Sequence, residues 1–205
     1  MPVSLTANGI TYADGTVEST PFSDTKAIFG FGAATGAVYT QITNQTSSFG
    51  NIATDVTVAG ASRQIVAAAT YGGNKAMFGF GTPNAGSSYL NTITLFSNTG
   101  VYVSESSGSG TARYGAAAAS YGGDKAIFGY GYNGTSYVNT ISRFSNTGVY
   151  VDEYNTAGDT NAYLAAATYG GDKAIFGFGL GGTSRRVSLF SNTGAYVSES
   201  NPLTS

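Results

Sequence analysis

The string Tyr121-Gly122-Gly123-Asp124-Lys125-Ala126-Ile127-Phe128-Gly129-Tyr130-Gly131 returns almost unchanged at Tyr71 to Gly81 and at Tyr169 to Gly179. A chain made of such copies is expected to fold as copies of one supersecondary unit. A fourth, worn copy runs from Asp24 to Gly32. The matching lysines, Lys26, Lys75, Lys125 and Lys173, are all the lysines in the chain and are spaced by 49, 50 and 48 residues. A period near 50 residues built of short β-prone runs points to propeller blades, one four-stranded sheet per repeat. The even spread of the copies over 205 residues gives no reason to cut the chain into separate domains. Residues 1–23 read as an N-terminal strand, hairpin and assembly segment, and 24–205 as the four-repeat body.

The third repeat shows the four strands best. Arg113-Tyr114-Gly115 leads into an alanine-rich strand ending at Tyr121, and Gly122-Gly123-Asp124 turns the chain into Lys125 to Tyr130. Glycine and aspartate accept the positive φ that a tight hairpin requires. A glycine-rich loop precedes a third strand from Tyr137 to Phe144. Ser145-Asn146-Thr147-Gly148 turns into a fourth, Val149 to Glu153, and the same turn and strand recur at Ser97 to Glu105 and Ser191 to Glu199. In the first repeat only Gly50 and Asn51 to Asp55 answer to them. The runs Ala67 to Ala69, Ala116 to Ala119 and Ala165 to Ala167 are helical on propensity alone, but each is too short to nucleate a helix and stops at Tyr-Gly-Gly. As the innermost strand of a blade, small side chains suit a crowded axis.

Ahead of the repeats, Asp14-Gly15 sits between two β-prone runs and reads as a hairpin turn. The stretch Ile10-Thr11-Tyr12-Ala13-Asp14-Gly15-Thr16 through Thr20 resembles a short motif of bacteriophage tail-fibre and appendage proteins. The blades themselves resemble the kelch repeats of β-propellers. The resemblance rests on an apolar second strand ending in glycines, Ala126-Ile127-Phe128-Gly129-Tyr130-Gly131, followed by aromatic pairs at Phe96 and Tyr102, Phe144 and Tyr150, and Phe190 and Tyr196. It covers about residues 24 to 200. Two departures stand out: the kelch glycine doublet has become Gly-aromatic-Gly, and the tryptophan of the fourth strand is a tyrosine. The whole pattern is also similar to repeats of structural proteins of marine bacteriophages. What the resemblance implies is a four-bladed kelch-like β-propeller in which residues 9 to 22 complete the first blade and Ala195 to Ser200 end the last. The alternative is an intertwined β-fibre, in which equivalent repeats of several chains, as in a homotrimer, pack about a shared axis.

Composition narrows the function. With no cysteine and no histidine, disulfides, thiol nucleophiles, the usual zinc ligand sets, imidazole bases and Ser-His-Asp triads are all absent. Glycine-rich segments such as Gly79-Phe80-Gly81 have no helix pattern and no Gly-Lys-Ser/Thr tail after them, so they are strand ends and not nucleotide loops. Asp and Glu read as single and out of phase, apart from Asp152-Glu153, so a carboxylate pair for glycoside hydrolysis could form only by tertiary coincidence. A protein without catalysis, metal or organic cofactor is expected. Calcium held by backbone carbonyls and Asp in glycine-rich loops stays open. A net charge of −2 with nine scattered basic residues gives no footprint for a phosphate backbone. No run has the length of a membrane span, and Met1 to Asn8 has neither the basic start nor the apolar core of a signal peptide.

The repeated Asp/Asn-Lys pairs read as turn chemistry with a solubilising lysine, not as an anion-binding ring. The aromatics of the second strands read as sheet-to-sheet core. Variation among internal copies falls instead on the loops between second and third strands, 82–89, 132–137 and 180–186. Tyr, Asn, Ser and Arg suit recognition surfaces, so the candidate binding residues are Tyr89, Tyr132, Asn133, Tyr137, Arg185 and Arg186. The expectation is a structural protein of a phage virion, made in the host cytoplasm: a tail-fibre, appendage or capsid-decorating subunit in a larger assembly or homo-oligomer. Its partners would be other virion proteins and a host-surface glycan, with no nucleic acid and no membrane. The first eight residues and Asn201 to Ser205, patternless alone, are expected to dock into that assembly. A free-standing propeller-type glycan-binding lectin is the alternative.

Overall fold

The computed structural model describes residues 4–6, 9–11, 17–18, 27–34, 38–47, 51–83, 87–181 and 185–201. Among these the protein is all-β, and no helix forms. Three repeats each fold into one four-stranded antiparallel sheet. The second sheet contains β7 (Ala67–Tyr71), β8 (Lys75–Gly79), β9 (Ile93–Phe96) and β10 (Tyr102–Ser106). The third contains β11 (Ala117–Tyr121), β12 (Lys125–Gly129), β13 (Thr140–Phe144) and β14 (Tyr150–Asn155). The fourth contains β15 (Ala165–Tyr169), β16 (Lys173–Gly177), β17 (Val187–Phe190) and β18 (Tyr196–Ser200), so the last strand ends at Ser200 as expected.

The alanine runs are strands, not helices. They end in hairpins whose glycines, Gly72 and Gly73 for example, stand at φ +57° and +78°, the left-handed region that no residue with a Cβ enters freely. β11 packs on β7 and on β15, so the three alanine strands lie next to one another. Their small side chains allow that approach.

The first repeat departs from the plan. β4 (Ala27–Ala34), β5 (Val38–Thr46) and β6 (Val56–Thr57) form a three-stranded sheet, and Ile52 joins it only by a bridge to Thr46. The expected completion of this blade by residues 9 to 22 does not hold for the part described. β2 (Gly9–Thr11) and β3 (Val17–Glu18) pair instead with β1 (Ser4–Thr6) in a separate three-stranded sheet. Ile10 faces Glu18 and Thr11 faces Val17, which bears out the hairpin. Its turn, residues 12–16, and the segments 19–22 and 202–205 lie outside the described residues. A cleft of about 720 Å³ opens between the first and second sheets, lined by Ala27, Ile28, Ala68, Ala69 and Thr70, on the side where the first sheet has no alanine strand among the described residues.

The core lies between the sheets. Phe78 (4% exposed), Phe128 and Phe176 (both 0%) are buried, as the alternation predicts. Each meets the aromatic two places beyond its own counterpart in the preceding repeat: Phe31 with Phe78 at 5.3 Å between ring centroids, Phe80 with Phe128 at 5.5 Å, and Tyr130 with Phe176 at 5.6 Å. The three pairs are tilted by 57°, 53° and 54°, one geometry used three times. The glycine after each of the first three aromatics then donates its N–H to the next repeat: Gly32 to the Arg63 carbonyl, Gly81 to that of Arg113 and Gly131 to that of Asn161.

Candidate functional site

Tyr89, Tyr132 and Tyr137, chosen from the variable loops, come together, and two tyrosines that loop variation does not flag join them. Tyr114 stacks flat on Tyr89, with centroids 5.5 Å apart and planes 8° from parallel. Tyr132 meets Tyr89, Tyr114 and Tyr137 edge-on at 6.1, 5.7 and 5.6 Å, and Tyr163 meets Tyr114 edge-on at 5.9 Å. Offset and edge-to-face contacts of this kind are the favourable ones for aromatic rings.

Backbone geometry assembles the cluster. Tyr114 and Tyr132 exchange both N–H···O bonds, at 3.1 and 2.8 Å. The Tyr163 N–H donates to the Gly115 carbonyl at 2.7 Å. Glycines make the remaining room. A Cβ on Gly115 would stand 3.2 Å from the Tyr163 ring and one on Gly181 would stand 2.8 Å from Tyr137, while Gly134 lies against Tyr89 with no space for a side chain at all. Tyr163 itself stands at φ +58°, where the third repeat has Gly115 at +65°. A tyrosine held in the left-handed region costs on the order of 1–3 kcal/mol unless its surroundings enforce it.

The blade plan does not demand these rings. The bridge that carries Tyr114 and Tyr132 recurs as Gln64 with Thr82 and as Ala162 with Leu180, without a tyrosine in either. Tyr137 and Tyr163 are 36% and 42% and the other three are half-buried. Burial, followed by the neighbouring Tyr114 and Tyr137 phenols, pushes the Tyr163 hydroxyl up to about 12. The surface is aromatic and hydroxylated, with no carboxylate, ammonium or guanidinium among its five members. It offers stacking faces and hydrogen-bonding edges.

Of the other three candidates, two serve the fold. Asn133 accepts from the N–H groups of Thr135 and Ser136, both at 3.0 Å, which closes its own loop. Arg186 holds Asp159 at 3.0 Å and Glu199 at 2.9 Å. Arg185 is exposed. Residues 84–86 and 182–184 of the variable loops lie outside the described residues.

Arg186 leads to a motif that the sequence reading missed. Glu105, Glu153 and Glu199 do recur in phase, one per fourth strand, contrary to the expectation that the acids fall out of phase. In the second and third sheets each takes a buried arginine from twelve residues before the repeat's lysine. Arg63 and Arg113, both 0% exposed, pair with Glu105 at 2.9 Å and Glu153 at 3.1 Å. Arg63 also donates to Thr94 at 2.5 Å, and Arg113 to Ser142 at 2.9 Å. Their guanidinium planes lie over the ring of the preceding repeat, 4.4 Å above Phe31 and 4.1 Å above Phe80. Burial lowers Arg113 to about 10 against the opposing pull of Glu153, so it stays charged at neutral pH. In the fourth sheet the position is Asn161, and the ring it receives is Tyr130, whose buried hydroxyl lies among Ser188, Thr156 and Glu199. Arg186 supplies Glu199 with its cation instead.

No protein-family model and no curated protein matches the chain. Its fold has counterparts among solved structures. They number 125 chains, among them YjhT, with a TM-score of 0.59 and 14% identity over 80% of this chain. The match takes in 53% of YjhT, so the chain spans about half the length of that protein. At this identity the likeness establishes the propeller-like all-β fold and carries no chemistry with it.

Proposed function

We propose that the chain is a non-enzymatic binding subunit of a bacteriophage particle, a tail-fibre, appendage or capsid-decorating protein, whose repeats are four kelch-like blades and whose tyrosine cluster contacts a host-surface glycan. The observation that carries the binding role is the cluster of five tyrosines, which the repeat does not require and which glycines make room for. Sugar rings present apolar faces edged by hydroxyls, and a surface of tyrosine faces and phenol oxygens complements both. Its lack of charge agrees with an uncharged ligand and not with a phosphate backbone. The phage setting rests on the resemblance of residues 10 to 20 and of the repeats to phage structural proteins.

Two measurements test the two halves. Mass spectrometry with copy counting on particles purified from the source culture is expected to find this chain at a fixed stoichiometry; its absence from particles, with glycan binding by the free monomer, would establish the lectin instead. In binding of the purified chain to host cells, Tyr163→Gly and Tyr132→Ala are each expected to weaken attachment at least about tenfold, with melting temperature shifted by only a few degrees. Undiminished attachment by both variants would remove the tyrosine face from the mechanism.

A further inference from the structure

The two ends of the array carry the two unmated halves of one joint. At every joint inside the chain, the aromatic after the second strand meets the phenylalanine two places earlier in the next repeat's second strand. Among the described residues, that leaves Phe178 and Phe29 each without a ring partner across a joint. Phe178 is 53% exposed where Phe80 and Tyr130 are 0% and 1%, and Phe29 is 60% exposed where its counterparts are 4% or less. The whole outer face of the fourth sheet repeats this. Ala165 and Ala167 are exposed and Tyr169 and Ile175 half-buried, while Ala117, Ala119, Tyr121 and Ile127 of the third sheet are all buried.

Two further features show a built joint rather than a frayed edge. Phe178 keeps φ +63°, the strained conformation that Phe31, Phe80 and Tyr130 adopt to reach the next sheet. Gly179, the equivalent of Gly32, Gly81 and Gly131, has its N–H unmatched by any backbone carbonyl among the described residues. Ring, backbone twist and donor are all set for a partner sheet.

We infer that this face is covered by the first sheet of a second copy, with Phe178 of one copy packed on Phe29 of the other, so that two chains join head to tail into one closed ring. The occupant follows from continuity: the first sheet presents, unmated, the phenylalanine that every other joint uses. A head-to-tail contact uses different surfaces on the two partners and must either close or run on as a fibre. Two is the number of copies proposed because the match to YjhT takes in 53% of that chain.

Light scattering on the 205-residue chain at tens of micromolar is expected to give twice the 20.8 kDa of one chain. Phe178→Asp and Phe29→Asp should each give a monomer with unchanged circular dichroism, since both side chains are exposed within the chain. A wild-type monomer, or a dimer that survives either change, overturns the proposal. Orientation is read by a short bis-maleimide crosslinker, because the chain has no cysteine of its own. Phe29→Cys mixed with Phe178→Cys should give the mixed dimer alone. Crosslinked pairs of identical variants, or a bridge within one chain of the doubly substituted protein, would each refute a head-to-tail ring of two.

Discussion

Phe31, Phe80, Tyr130 and Phe178 hold φ between +63° and +65°, a region ordinarily left to glycine. This explains Gly-aromatic-Gly in place of a glycine doublet: the chain turns at that residue toward the next sheet, and the ring it carries fills the joint. Ile65 shares the strain without that return. It stands at φ +54° with 37% exposure, where the third repeat has Gly115. A β-branched residue there is costly, so Ile65→Gly should raise unfolding free energy by about 1 kcal/mol in urea titration, even after glycine's added chain entropy. Arg113 gives the opposite case. Replacing it with Leu strands Glu153 beside a buried Ser142 and removes the cover from Phe80, with an expected loss of about 3–5 kcal/mol; a loss below about 1 kcal/mol would mean that packing alone makes the joint. The arginines were not legible because the sequence shows two of them, twelve residues before a lysine, and breaks the series at Asn161. The carboxylates were legible in phase but were read by their spacing along the chain, which hides a recurrence of one per sheet.

Strands and hairpins were the readable part. Alternation, Tyr-Gly-Gly-Asp-Lys turns and repeat spacing are local signals, and they give the strands of the last three sheets. Pairing across repeats is not local, which is why residues 9 to 11 and 17 to 18 were assigned to the wrong sheet and why Tyr114 and Tyr163 were missed. Both precede alanine strands, in positions that resemble mere lead-in until the bridges fold them against the loops. The joints also show how elements compensate. Where the ring is Phe the next repeat brings Arg, and where it is Tyr130 the next brings Asn161, its hydroxyl taking space that a guanidinium would fill. Tyr130→Phe and Asn161→Arg should each destabilise alone, and together should recover at least about 1 kcal/mol of the summed loss by a double-mutant cycle. Simple additivity would show the two changes to be unrelated.

At the scale of the molecule, the absence of histidine and cysteine leaves no side chain titrating between the carboxylates and the phenols. Hydrogen bonds from Arg143 hold Asp152 below its usual range; burial opposes the same effect at Glu153, where Thr111, Ser142 and Arg113 prevail. Carboxyls lowered in the fold stabilise it above their unfolded values and lose that contribution as pH falls through the lowered ones. Burial raises the hydroxyls of Tyr130, Tyr154 and Tyr163. Groups raised in the fold contribute fully below the unfolded phenol value and lose it as pH climbs past about 10. Thermal unfolding should therefore show a flat melting temperature from about pH 5.5 to 9 with a decline on each side. A midpoint that slopes through pH 7 would contradict the assignment.

Each joint draws its ring from one repeat and its arginine or asparagine from the next, so the unit that makes contact is offset from the unit that is copied in the sequence. A duplicated repeat enters such an array already carrying an outgoing ring for its successor and an incoming receptor for its predecessor. Lengthening or shortening the chain by whole repeats then requires no new surface to evolve, and selection can remodel the loops, where the tyrosines gathered, without disturbing what holds the copies together.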